Sequence, residues 1–408
     1  MSDEAEWAYA PVSTLEGLLQ RGRGLGAIDA PGDPTAGRLV RECVSRDCRW
    51  DGVDERDLYL ARLMRDLELS PEPVVARLQG DEYECERAAG LLVPLAKGGV
   101  AGAREALRAY VHDGEHWVDV LQSLAAGWPV EWWDDLAGVA RRRLAADRVP
   151  LWRSEPWVRW QVPAPEPVLR ARPPQPVVAS GRLLALLADP AADRSAKVAA
   201  LRALAARGPE PGLIPLVPLL RAEGPMPLLG RAVDSLGVLA VPAAREWVTA
   251  PDRWLSWTGA TVLAAHGEPR DVPVLVGQLA AHWAARDWCG PGRLAAGLAR
   301  FGPQAAEAVP LLRRFWLRTP HSYERPAYLK ALAAIDPSGL PQAYTESLWD
   351  CESDARLLGI ASAPDTPQVR RRLAELRDDP MEDSEIRAAA GGRHQSLSPG
   401  EIRTAVHP

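Results

Sequence analysis

The stretch that decides the fold is WTGATVLAAHGEPRDVPVLVGQL, residues 257–279. Its first half spaces alanine and other apolar side chains three and four residues apart, the mark of an amphipathic helix. Gly267 interrupts that pattern. Pro273 follows where a second helix opens, because the N–H it lacks has no partner in a first turn anyway. Three further windows share this grammar: KVAALRALAARGPEPGLIPLVPLL (197–220), GRLAAGLARFGPQAAEAVPLLRRF (292–315) and AYLKALAAIDPSGLPQAYTESL (327–348). Each has an alanine-rich helix, a Gly or Asp-Pro turn, and a second helix with an apolar stripe. The turns at Gly208, Gly267 and Gly302 are 59 and 35 residues apart, and a turn at Val241-Pro242 divides the longer interval. Pro215, Pro273 and Pro310 are expected to open second helices, with Pro218 kinking or delaying its own.

The same alternation fills ERAAGLLVPLAKGGVAGAREALRAYVHDGEHWVDVLQSLAAGWPVEWWDDLAGVARRRL (86–144), broken at GG, DG and GWP. The alternating β-branched runs that mark strands are scarce. A short hairpin with alanine on its inner helix cannot bury its apolar face alone, but its small side chains let neighbouring hairpins stack closely. This pattern resembles the HEAT-repeat superfamily, and more closely its short-period HEAT-like form common in bacterial proteins. The resemblance is best over 180–378 and weaker over 80–146. It implies an all-α fold, a right-handed α-α solenoid of HEAT-like helical hairpins, and it identifies no reaction. The Asp and Arg ladder between helices that marks the family is not regular in this sequence.

The organisation expected is a helical N-terminal region of degenerate HEAT-like hairpins (1–147), a strap or linker (148–178) and a C-terminal HEAT-like array (179–408). The middle segment, RVPLWRSEPWVRWQVPAPEPVLRARPPQPVV, holds eight prolines and three tryptophans. Such proline density favours an extended chain. Trp152, Trp157 and Trp160 admit two explanations. They pack back onto the helices and pin the strap, or, with Arg153 and Arg159, they meet a partner, since Trp and Arg dominate interface energetics.

With 48 Lys+Arg against 54 Asp+Glu the chain is weakly acidic. That excludes a surface given over to polyanion binding, which needs clustered cations that release counterions. The acidic start, MSDEAEWAYAP, lacks the basic and apolar regions of a secretory signal. Five scattered cysteines fit reduced thiols better than a disulfide framework. No stretch is apolar enough to span a membrane, so a cytoplasmic location without membrane partners is expected.

Chemical motifs are sparse. HDGEH (112–116) matches the H-x-x-E-H string of inverted zinc peptidases. That chemistry needs both histidines on one helix face, whereas Asp113-Gly114 reads as a turn. Cys43 and Cys48 lack a second ligand pair at finger spacing. Gly22, Gly24 and Gly26 alternate in RGRGLGAIDAPGDP and read as a mobile loop. The arginine runs at 141–143, 313–314 and 370–372 read as solvated helix faces. No nucleotide-binding or nucleophile-elbow motif is present, so neither a catalytic residue, a metal nor a cofactor is assigned.

The function expected is a non-enzymatic protein-binding scaffold or adaptor, with another protein as partner. Beside the strap residues, Arg253, Trp254 and Trp257 are the candidate contacts, because Arg and Trp adjoin within one repeat. The alternative is a HEAT-like nucleic-acid-binding or DNA base-excision enzyme, in which such Arg and Trp neighbours hold a base.

Overall fold

A computed structural model describes residues 9–146, 153–162 and 178–397. Among the described residues there are 23 α-helices, eight 3-10 helices and no strand. The chain is therefore all-α, as its apolar spacing predicts. It divides into two compact units. Within the described residues the first comprises 9–146, 153–162, 320–326 and 339–397, and the second comprises 178–319 and 327–338. The sequence expectation placed 339–408 in one continuous C-terminal array. In the structure, 339–397 groups with the N-terminal residues instead.

In the second unit, proline and the small residues set the local geometry. Four helices open on a Val-Pro pair: Val217–Ala222, Val241–Trp247, Val272–Ala285 and Val309–Arg318. A 3-10 helix precedes each of them: Pro211–Leu216, Gly237–Ala240, Pro269–Asp271 and Gly302–Ala308. The valine of every pair is buried, and the proline beside it occupies a first turn where no donor is missed. Pro218 holds this position and Pro215 lies in the preceding 3-10 helix, which corrects the placement read from the sequence by three residues.

Three of these helices read Val-Pro-X-X-Arg, and each arginine reaches a carboxylate further along the chain. Arg221 Nε lies 3.0 Å from Asp252 Oδ1, Arg245 Nε 2.8 Å from Asp271 Oδ1, and Arg313 a terminal guanidinium nitrogen 2.8 Å from Asp336 Oδ2. Asp252 also accepts the Leu255 N–H at 2.8 Å, capping helix Arg253–His266. Asp271 accepts the Glu268 N–H at 2.8 Å in a capping box. One carboxylate thus satisfies an orphan helix donor and an arginine together. Three such Arg-to-Asp rungs are present in this unit. The Val272 helix has Val276 where the arginine would stand.

Helices in this unit approach at glycine and alanine. Arg253–His266 packs against both Val241–Trp247 and Pro291–Ala299. A Cβ on Gly259 would lie 2.7 Å from the Ala244 carbonyl oxygen, and one on Gly297 2.4 Å from the Ala264 Cβ. Neither helix can carry a larger side chain there without moving apart.

The first unit is held differently. Its main core joins Leu19, Leu60, Leu92, Leu121 and Trp157 to Cys351 and Met381. Charged groups are buried beside it. Arg23 grips Glu346 through two bonds of 2.6 and 2.8 Å across 323 residues of sequence. Arg62 reaches Asp379 at 2.8 Å and Glu382 at 2.7 Å, and Arg356 Nε lies 3.0 Å from the same Glu382. The glycines of RGRGLG serve this closure and do not form a mobile loop. Gly24 opens the helix Gly24–Asp29, and a Cβ on it would sit 2.0 Å from the Glu346 carbonyl oxygen. Gly22 takes φ +61°, and its carbonyl accepts the Cys351 N–H at 3.0 Å.

Removing one member of a buried pair strands the other charge. Glu382→Ala leaves both Arg62 and Arg356 short of a carboxylate and is expected to cost about 3–5 kcal/mol. Glu42→Ala, which breaks the exposed pair with Arg38, is expected to cost under about 1 kcal/mol. Denaturant melts of the two variants beside the unaltered chain check the contrast.

Candidate binding site

Helix Arg253–His266 brings Arg253, Trp254, Ser256 and Trp257 in its first turns to the wall of a cavity of about 580 Å³. Helix Val272–Ala285 adds Gln278 and His282. The turn after it supplies Asp287 and Cys289. Two left-handed residues make that turn, Arg286 at φ +54° and Gly290 at φ +111°. A side chain at 290 would also collide with Trp257, since a Cβ there would lie 2.8 Å from the indole edge. The volume falls in the range of pockets that enclose a small ligand or an inserted side chain.

Two indoles give the cavity its apolar character, and its charges are already matched. The guanidinium of Arg221 lies 5.7 Å from the Trp254 ring centre while it pairs with Asp252. Arg253 pairs with Asp287, and the same carboxylate oxygen stands 3.0 Å from His282 Nδ1. The His282 ring meets Trp257 edge-on at 5.0 Å. Gln278 Nε2 lies 3.5 Å from both the Val248 carbonyl oxygen and Ser256 Oγ, leaving its amide only long contacts. Cys289 is exposed, and the other four cysteines are buried.

Of the residues singled out from sequence, Arg253, Trp254 and Trp257 thus share one cavity. Of the strap residues, Arg153, Trp157, Arg159 and Trp160 belong to the first unit, and Trp152 lies outside the described residues. Trp157 and Trp160 are buried, 0% and 7% exposed. Trp157 meets Trp117 edge-on at 6.1 Å and Trp160 at 5.9 Å, and Trp160 Nε1 donates to Asp134 at 2.9 Å. These rings therefore pack into the core. Arg153 is exposed, and Arg159 pairs with Asp134 at 2.8 Å on the surface.

The HDGEH histidines lie on separate elements. His112 is near the end of helix Ala103–Asp113, and His116 precedes helix Trp117–Gly127. Among the described residues, no three His, Cys, Asp or Glu side chains are grouped to hold a metal ion. No helix among them is long and apolar enough to cross a membrane. Sequence reasoning missed Gln278, His282, Asp287 and Cys289. The one available signal was HWAARDWCG (282–290), where a helix of low polarity ends in a cluster of functional groups.

Native protein is expected to yield one thiol to an aromatic disulfide reagent and five once unfolded, and Cys289→Ser is expected to abolish the native one. Trp157→Ala is expected to cost about 3–5 kcal/mol, the magnitude of a large buried aromatic, measured by chemical denaturation. No protein-family model, curated protein or solved structure matches the chain, so the reading of this cavity rests on its own side chains.

Proposed function

We propose that the protein is a non-enzymatic scaffold whose second unit is a HEAT-like solenoid segment and whose Trp254 and Trp257 cavity receives a side chain of a protein partner. The observation that carries this reading is the convergence of Arg253, Trp254 and Trp257 on one cavity of about 580 Å³. Recurrent Val-Pro helices, Arg-to-Asp rungs and contacts at Gly and Ala support the solenoid assignment. A preformed array presents its contacts with little ordering cost, which suits a binding platform.

The pairing of charge favours protein over nucleic acid. Arg221 and Arg253 are each matched by an aspartate, so the cavity offers no surplus cation pair to a phosphate. Exposed apolar side chains elsewhere in the same unit, Leu219, Val238, Leu239, Val274 and Leu317, add to the area open to a partner.

The test is affinity purification of tagged protein from its native host, with and without nuclease, using the unaltered chain and Trp254→Ala. A protein retained after nuclease treatment and lost at least tenfold with Trp254→Ala is the expected result, since a central tryptophan in an interface is worth about 2 kcal/mol or more. Recovery of nucleic acid alone would overturn the reading.

A further inference from the structure

Segment 320–326 enters the first unit through a line of buried polar groups. Ser322 Oγ accepts a hydrogen bond from an Arg56 guanidinium nitrogen at 2.6 Å. The same oxygen lies 3.0 Å from Asp54 Oδ1 and closer still to Glu352 Oε1. A serine hydroxyl owns one hydrogen. It can donate to one of the two carboxylates, and the other then needs a proton of its own to stand at hydrogen-bond distance.

The donors around each carboxylate decide which one holds it. Asp54 Oδ2 accepts the N–H groups of Trp50 at 2.9 Å and Asp51 at 3.0 Å. Its Oδ1 accepts the Tyr323 N–H at 3.0 Å and lies 2.8 Å from His321 Nδ1. That is an environment for an anion. Glu352 Oε1 has the Glu55 N–H at 3.0 Å, and its side chain is buried. The extra proton therefore rests on Glu352, which donates to Ser322, which donates to Asp54, whose Oδ1 also meets His321.

We propose that Glu352, Ser322, Asp54 and His321 form one proton-sharing chain that keeps segment 320–326 seated while Glu352 is protonated and loosens it when that proton leaves. Other charged or titratable groups also face the chain. From 51–56 come Asp51, Glu55 and Arg56, from 320–326 come Glu324 and Arg325, and from 350–352 come Asp350 and the Cys351 thiol. Arg56 offsets part of the cost of a Glu352 anion, but it already serves Ser322 Oγ, the Glu55 carbonyl and Cys351 Sγ.

The direction with pH follows. Burial pushes the Glu352 carboxyl up to about 7, above its value in an open chain. Its contribution to closure is therefore complete at acid pH and is lost as pH rises through about 7. For His321, burial opposes the charged ring, but the hydrogen bond and charge of Asp54 outweigh it and raise the imidazole. Its contribution is likewise lost as pH rises. Burial also opposes ionisation of Asp54, but His321, Arg56 and the backbone N–H groups hold it well below the usual carboxylate range, so it adds no transition near neutrality.

Hydrogen exchange of amides 321–325 in the full chain, corrected for the intrinsic pH dependence of exchange, tests this. Protection is expected to fall about tenfold from pH 6 to pH 8, and Glu352→Gln is expected to remove the Glu352 part of that fall, because a neutral amide can still donate to Ser322, leaving only the part that His321 contributes. Infrared difference spectra of the unaltered protein supply a second readout that needs no variant to fold. They are expected to show a protonated carboxyl at pH 6 that disappears by pH 8. Protection independent of pH, or no protonated carboxyl at pH 6, would overturn the proposal.

Discussion

The first unit depends on a single constraint. Guanidinium groups from residues 23–62 are taken out of water, and their carboxylate partners are supplied by residues 346–382. Burying an ion costs several kcal/mol unless a partner with good geometry meets it. Glu382 serves both Arg62 and Arg356, and Asp379 both Arg62 and Arg65, so these contacts form a lattice and not a set of separate pairs. Loss of one member is felt by its neighbours. Such a lattice is a poor source of net stability and a strict source of register, because few other alignments of the same segments satisfy every charge.

The second unit uses weaker means repeated more often. Its helices approach at Gly259, Gly297, Ala244 and Ala264, and its ion pairs are partly solvated rungs in which an aspartate both caps a helix and holds an arginine. No one rung is worth much. Repetition of the Val-Pro-X-X-Arg pattern supplies the regularity, and the departure at Val276 leaves that helix free of a rung. The candidate cavity lies between this helix and Arg253–His266, where the walls are indole, imidazole and amide.

Helices and turns were legible in the sequence because periodicity and Gly-Pro punctuation are local properties. The convergence of Arg253, Trp254 and Trp257 was partly legible, since three of the cavity's side chains sit on one helical turn. Its remaining wall was not, because Gln278, His282 and Asp287 arrive from another helix and a turn whose φ angles no composition announces. The contacts of two arginines were invisible for a different reason. Arg143 and Arg372 read as members of solvated basic runs, yet Arg143 donates to the Val111 carbonyl at 3.1 Å and stacks over Trp117, and Arg372 donates to the Leu348 carbonyl at 3.2 Å. A charge pattern reports how many ions a segment carries, while burial depends on partners it does not name, 32 and 24 residues away for these two arginines and 323 for Arg23. Gly22 and Gly24 carry the same lesson: they looked like slack, and each marks a close approach of backbone to the 346–351 segment.

The 323 residues that separate Arg23 from Glu346 also set a clock on the ribosome. At roughly 5–20 residues per second, the arginine leaves the exit tunnel some tens of seconds before its carboxylate is made. Through that interval Arg23, Arg56 and Arg62 must stay hydrated, and the apolar surface meant to cover them stays uncovered. The hairpins of 178–319 have their rungs within about 30 residues and face no such delay. Nascent chains of this protein therefore pass through a long stage in which the middle can be folded while the beginning waits, and a chaperone that shields N-terminal segments would find its substrate there.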